Sequence, residues 1–131
     1  MSSPDPFRDE LARASKELQA GQPAAAEPIY RGVLAQAPDH GIAMHFLGMC
    51  LVQTGRAPEG LALMARSLQR LAGQARFRHN YGLMLAQAGD LVAAERELAA
   101  AAREEPANAS IFQYLGMVRQ MLGRASGAAD A

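Results

Sequence analysis

An all-α solenoid of antiparallel helix pairs is the fold this sequence of 131 residues predicts. Three observations predict it. Gly21, Gly55, Gly89 and Gly123 recur at a fixed interval of 34 residues. Gly48, Gly82 and Gly116 keep the same interval, seven residues ahead of the last three. Ala and Leu dominate, Trp is absent and β-branched residues are few, a composition that favours helix. A period of this length marks an array in which each repeat packs only on its neighbours.

With Phe7 opening the first repeat, the repeats run 7–40, 41–74, 75–108 and a partial 109–131, with no insertion. They make one domain over 7–131, preceded by a flexible segment 1–6. Helices are expected near 8–20, 24–37, 41–54, 58–71, 75–88, 92–105 and 109–122, with no strand. The first is amphipathic: Phe7, Leu11, Ala14 and Leu18 share one face, and Glu10 and Glu17 make the rest polar, as suits an N-terminal cap. Each turn glycine sits just past a helix, where a left-handed cap favours a residue without a Cβ.

The second helix of each pair repeats a small residue at Ala26, Gly60, Ala94 and Ala128 and a large one at Tyr30, Met64 and Leu98. A second small position follows at Val33, Ser67 and Ala101. Gly82 and Ala94 are expected to touch where their helices cross. Pro28 is expected to kink its helix or to displace its start. Pro38-Asp39 and Pro106-Ala107-Asn108 stop the second helices of repeats one and three, whereas repeat two leaves through Leu71-Ala72-Gly73. The fourth repeat breaks off after its turn at Gly123. That should leave Leu115, Val118 and Leu122 uncovered within this chain: either the chain is part of a longer protein, or another chain covers that face through self-association of helix 109–122.

The pattern resembles the tetratricopeptide repeat family. Leu47-Gly48 and Leu115-Gly116, with Tyr81-Gly82 as a variant, stand where the family carries Leu-Gly, and Pro38 and Pro106 stand at its closing proline. The resemblance covers nearly the whole chain and implies a right-handed superhelix whose first helices line a concave groove. Carried over position by position, the groove residues are His45, Phe46, Met49 and Gln53 in repeat two. Repeat three supplies Arg76, His79, Asn80, Leu83 and Gln87, and repeat four Gln113, Tyr114 and Met117. Gln19, Gln53 and Gln87 form one vertical row, and His45 and His79 another, read as partly exposed groove histidines. Members that grip acidic chaperone tails use a set of Lys, Asn and Arg; here Leu11, Ser15, Phe46, Arg76 and Asn80 occupy those positions, so that clamp is absent. What remains is an apolar, Met-rich groove suited to a helix or peptide.

Thirteen basic and thirteen acidic residues balance, which removes the electrostatic case for nucleic acid or an anionic membrane as partner. Twelve of the basic residues are Arg, a bias that fits a GC-rich bacterial genome. Cys50 is the single cysteine, and the N-terminus has no basic stretch leading into an apolar one, so a cytoplasmic location is expected. No catalytic constellation, metal-ligand set or cofactor motif is present, and no enzyme activity is expected. The sequence therefore reads as a protein-interaction scaffold with a protein or peptide partner. The alternative is an N-terminal substrate-recruiting module of a larger modifying enzyme, of glycosyltransferase or sulfotransferase type, whose catalytic domain lies beyond residue 131.

Overall fold

The computed structural model describes residues 5–130, and the side chains of 5–124. Among them are seven helices and no strand: α1 (Arg8–Gln19), α2 (Pro23–Gln36), α3 (Gly41–Gln53), α4 (Ala57–Arg70), α5 (Ala75–Gln87), α6 (Leu91–Glu104) and α7 (Ala109–Asp130). They group into an N-terminal half, Met1–Leu71, and a C-terminal half, Ala72–Ala131. Met1–Pro4 of the expected flexible segment lie outside the described residues. Asp5 is held rather than loose: its carboxylate accepts from the Phe7 backbone N–H at 2.8 Å and lies 2.7 Å from His40 Nε2.

The turns inside each pair share one geometry. Gly21, Gly55 and Gly89 all have positive φ. In each turn the glycine N–H donates three residues back, and the next N–H donates five back, as in Gln22 to Glu17, Arg56 to Leu51 and Asp90 to Leu85. These paired bonds satisfy the last carbonyls of α1, α3 and α5. The next helix then starts on a device of its own. Pro23 and Pro58 lie in the first turns of α2 and α4, and Asp90 accepts from Ala93 N–H to cap α6.

Gly123 departs from this pattern. It has no positive φ, and α7 runs through it. Glycine permits a turn but does not impose one, and Arg124-Ala125-Ser126 offers neither an Asp cap nor a first-turn proline to start another helix. Pro28 likewise fails to shift the start of α2, which is continuous from Pro23.

In the N-terminal half, Ala14, Ala26, Tyr30, Val33, Ala43, Leu47, Cys50 and Leu51 form one buried cluster, with Phe7, Leu11 and Leu18 of the first amphipathic face packed against it. The repeating small and large positions of α2, α4 and α6 are buried throughout: Ala26, Gly60 and Ala94, then Tyr30, Met64 and Leu98, then Val33, Ser67 and Ala101. Ala128 lies outside the described side chains.

Glycine permits the closest approach between α3 and α4. A Cβ on Gly48 would lie 2.6 Å from the Gly60 carbonyl oxygen and 2.5 Å from Met64 Cγ. The α5–α6 crossing is looser. A Cβ on Gly82 would meet Leu98 Cγ at 2.7 Å, and its nearest neighbours belong to Leu98, one helical turn beyond the expected Ala94.

Ion pairs bind these packed faces at their edges. Glu27 on α2 accepts from Arg31 at 2.8 Å and is gripped by Arg56 at the start of α4. Arg56, and then Arg31, hold its carboxyl below the ordinary range. In the C-terminal half, Arg78 of α5 reaches Glu97 at 2.8 Å and Glu104 at 3.4 Å on α6.

Candidate functional site

Side chains spaced three and four apart share a helix face, and α3, α5 and α7 each carry three such faces in the same register. The first turns to the preceding second helix: Ala43, Leu47 and Cys50 of α3 are buried with Ala26, Tyr30 and Val33 of α2. The second turns to the following helix through Gly41 and Gly48, with the buried Met44 between them in sequence. A Cβ on Gly41 would sit 2.8 Å from Arg70 Cβ, and Gly48 meets Met64. The third holds the groove positions Phe46, Met49 and Gln53.

Those groove positions differ in exposure. In the N-terminal half, Met49 is half-buried and Gln53 is exposed. Phe46 stacks on Tyr30 with ring centroids 5.9 Å apart and packs against the buried cluster, so it belongs partly to the core. His45, expected as a partly exposed groove histidine, has no accessible surface and stands edge-on to Phe46 at 4.9 Å. Helical position put it at the groove's border, where burial depends on what lies beside the helix. Cys50 is buried in the same cluster, and burial raises its thiol pKa to about 11.

In the C-terminal half, Leu83 and Asn80 are half-buried, while Arg76, Gln87, Gln113, Tyr114 and Met117 are exposed. Arg76 lies over the Phe77 ring at 4.5 Å. His79 lies 5.4 Å from the Tyr114 ring, and its buried Nε2 has no hydrogen-bond partner. Burial lowers its pKa, opposed by the nearby charge of Glu105, which favours the neutral imidazole. Of the glutamine row, Gln19, Gln53 and Gln87 are all exposed, and Gln19 bonds Ser15 at 3.5 Å.

Leu83, Ala86, Gln87, Tyr114, Met117, Val118 and Met121 enclose a cleft of about 190 Å³ between α5 and α7. Met117 is 51% exposed and Met121 40%, so the cleft wall presents two flexible thioethers to solvent. The expectation for α7 is corrected here. Leu115 and Val118 are buried, not uncovered, and Leu122 is half-buried. They are the α7 members of the face that turns to the preceding helix, and α7 packs on α6. The exposed apolar residues are instead Phe112, Tyr114, Met117 and Met121.

One depression escaped the sequence reading. Arg31, Leu34, Leu47, Glu59, Ala62, Leu63 and Arg66 line a hollow of about 420 Å³ involving α2 and α4. Its signal was an Arg and a Leu three residues apart on each of those helices, Arg31 and Leu34 on α2 and Leu63 and Arg66 on α4. Among the described residues, no three His, Cys, Asp or Glu side chains come together as a metal-ligand set. No helix there is long and apolar enough to cross a membrane.

Comparison with known proteins places this geometry. Over 117 residues the chain is 38% identical to cellulose synthase operon protein C of Xanthomonas axonopodis pv. citri (strain 306), covering 82% of this chain but only 8% of that protein. An O-GlcNAc transferase of Thermobaculum terrenum superposes with a TM-score of 0.80 at 24% identity, covering 90% of this chain and 23% of that one. The type III secretion chaperone SycD of Yersinia enterocolitica, in complex with a peptide of the translocator YopD, gives a TM-score of 0.72 at 18% identity, with 97% of each chain covered. Residues 17–79 match the model of the tetratricopeptide repeat. The chain therefore carries tetratricopeptide repeat sequence over residues 17–79, and its helix pairs share the fold of the solved structures on which they superpose.

Proposed function

We propose that the chain is a protein-interaction module whose α5–α7 cleft takes an apolar side chain from a peptide or helix of a partner protein. The cleft itself carries the reading. It is walled by Leu83, Tyr114, Met117 and Met121, with two methionines exposed at its mouth, and thioethers adapt to varied apolar guests. Gln87 lies in its wall, and the exposed Arg76 stands on the same helix; both offer polar groups for orienting a backbone. On α3, the positions Phe46, Met49 and Gln53 are read as a second set of contacts within the N-terminal half. The Yersinia chaperone of similar fold, which holds a translocator peptide, supports this class of partner.

Recruitment of substrate to a larger modifying enzyme remains the second reading. The observation favouring it is that this chain spans 23% of the similar O-GlcNAc transferase and 8% of the cellulose synthase operon protein.

A peptide-display library selected on the purified chain tests the first reading. Enriched peptides should carry a bulky apolar residue and should bind the Met117→Glu variant about tenfold or more weakly, a loss of ~1.4 kcal/mol, at unchanged helicity. Equal binding to wild type and Met117→Glu would remove the cleft from the function.

A further inference from the structure

The hollow between α2 and α4 lies apart from the groove positions. Its deepest lining is the buried Leu47, on the face of α3 that turns to α2, whereas Phe46, Met49 and Gln53 mark another face. Leu34 of α2 and Leu63 of α4 also line it, half-buried and packed against the core cluster. Both α2 and α4 pack on α3, so three consecutive helices already bound the hollow. A repeat added at either end of an array packs on the terminal repeat, and chain extension therefore does not fill this place.

Charge is distributed unevenly along it. At one end Arg31 pairs with Glu27 at 2.8 Å and lies 3.9 Å from Glu59, and Glu27 is also held by Arg56. The acids and arginines there balance. At the other end Arg66 is exposed and has no acidic partner among the described residues. Arg66 follows Leu63 by three residues, so the two share a helix face with about 5–6 Å between their Cβ atoms.

We infer that this hollow binds a peptide segment of a partner protein that presents a bulky aliphatic residue and, two positions on, a carboxylate. In an extended peptide such residues share a face at about 6.6 Å, close to the step from Leu63 to Arg66. The aliphatic side chain displaces water from Leu34, Leu47 and Leu63, and the carboxylate pairs with Arg66. Glu59 sets the orientation, because a carboxylate laid at its end of the hollow would meet like charge.

The probe is the peptide acetyl-Ser-Leu-Ser-Glu-Ser-amide, titrated into the full isotope-labelled chain and followed by NMR. It should shift the methyl resonances of Leu34 and Leu63 saturably, with a millimolar dissociation constant. Replacing its Leu by Ser should abolish those shifts. Replacing its Glu by Gln should weaken binding about fivefold, the upper range for an exposed ion pair. Arg66→Glu, at an exposed position where helicity should be unchanged, should reverse the preference, favouring the same peptide with Lys in place of Glu. Met117→Glu, in the α5–α7 cleft, should leave the titration unaltered, so this site and the cleft fail separately. Absence of saturable shifts at Leu34 and Leu63, equal binding of the Leu and Ser or of the Glu and Gln peptides, or an unchanged preference in Arg66→Glu overturns the inference. A response confined to Leu83 and Met117 also overturns it, because the peptide then sits in the cleft. So does a concentration-dependent dimer that Arg66→Glu abolishes, because a second copy would then occupy the hollow.

Discussion

Gly48 and Gly116 stand at the same register position of two helices of like sequence, yet their surroundings are opposite. Gly48 lies where α3 and α4 cross so closely that a Cβ would be 2.6 Å from a backbone oxygen. Gly116 faces open space. Gly82 lies between the two, against a side chain that can move. The series separates a glycine that a close helix crossing requires from one that no described neighbour crowds. Only the neighbouring helix distinguishes them.

Substitutions along the series test that ranking. Gly60→Leu should be the most damaging, because a Cβ there would lie 2.4 Å from the Gly48 carbonyl oxygen and 2.9 Å from Val52 N, and backbone cannot step aside. A loss of about 3 kcal/mol or more in urea unfolding is expected. Gly82→Leu should cost on the order of 1–3 kcal/mol, because Leu98 can turn away. Gly116→Ala should stabilise α7 by up to about 1 kcal/mol through helix propensity alone. If Gly82→Leu proved as harmful as Gly60→Leu, the difference between the two crossings would collapse.

Acid should distinguish the two halves more gently. His79 has its pKa lowered by burial, so the stability linked to it is present above the ordinary histidine value and is lost as pH falls through the lower folded value. Glu27 has its pKa lowered by Arg56 and Arg31, so its contribution is present above the ordinary carboxylate value and is lost only as pH falls through a still lower one. Amide resonances of the C-terminal half should therefore respond first in an NMR acid titration. His79→Leu should remove that early response while leaving the Glu27 step in place. Simultaneous loss in both halves of the wild type would contradict this order.

Much of this was legible in the sequence, and the exceptions share one cause. The starts and ends of α1 to α6 follow from a gapless register and from local turn chemistry, both of which reside in consecutive residues. The buried small and large positions of α2, α4 and α6 follow from the same spacing. His45 was misread because its burial is decided outside its own helix, and Leu115 and Val118 because α6 already covers them. Gly123 was read as a turn by analogy with three glycines that are each followed by a helix-starting device, which it lacks. The cleft beside Met117 was legible as a set of positions, whereas its enclosure by Tyr114 and Met121 required coordinates.

The way these helices touch also governs how the chain acquires its shape. The principal contacts run between sequence neighbours, α1 with α2, α2 with α3, α3 with α4, α5 with α6 and α6 with α7. Partners so near along the chain meet after closing only short loops, and low contact order goes with folding in microseconds to milliseconds. A helix pair emerging early during synthesis can thus consolidate without waiting for distant sequence, keeping its apolar face out of reach of other nascent chains.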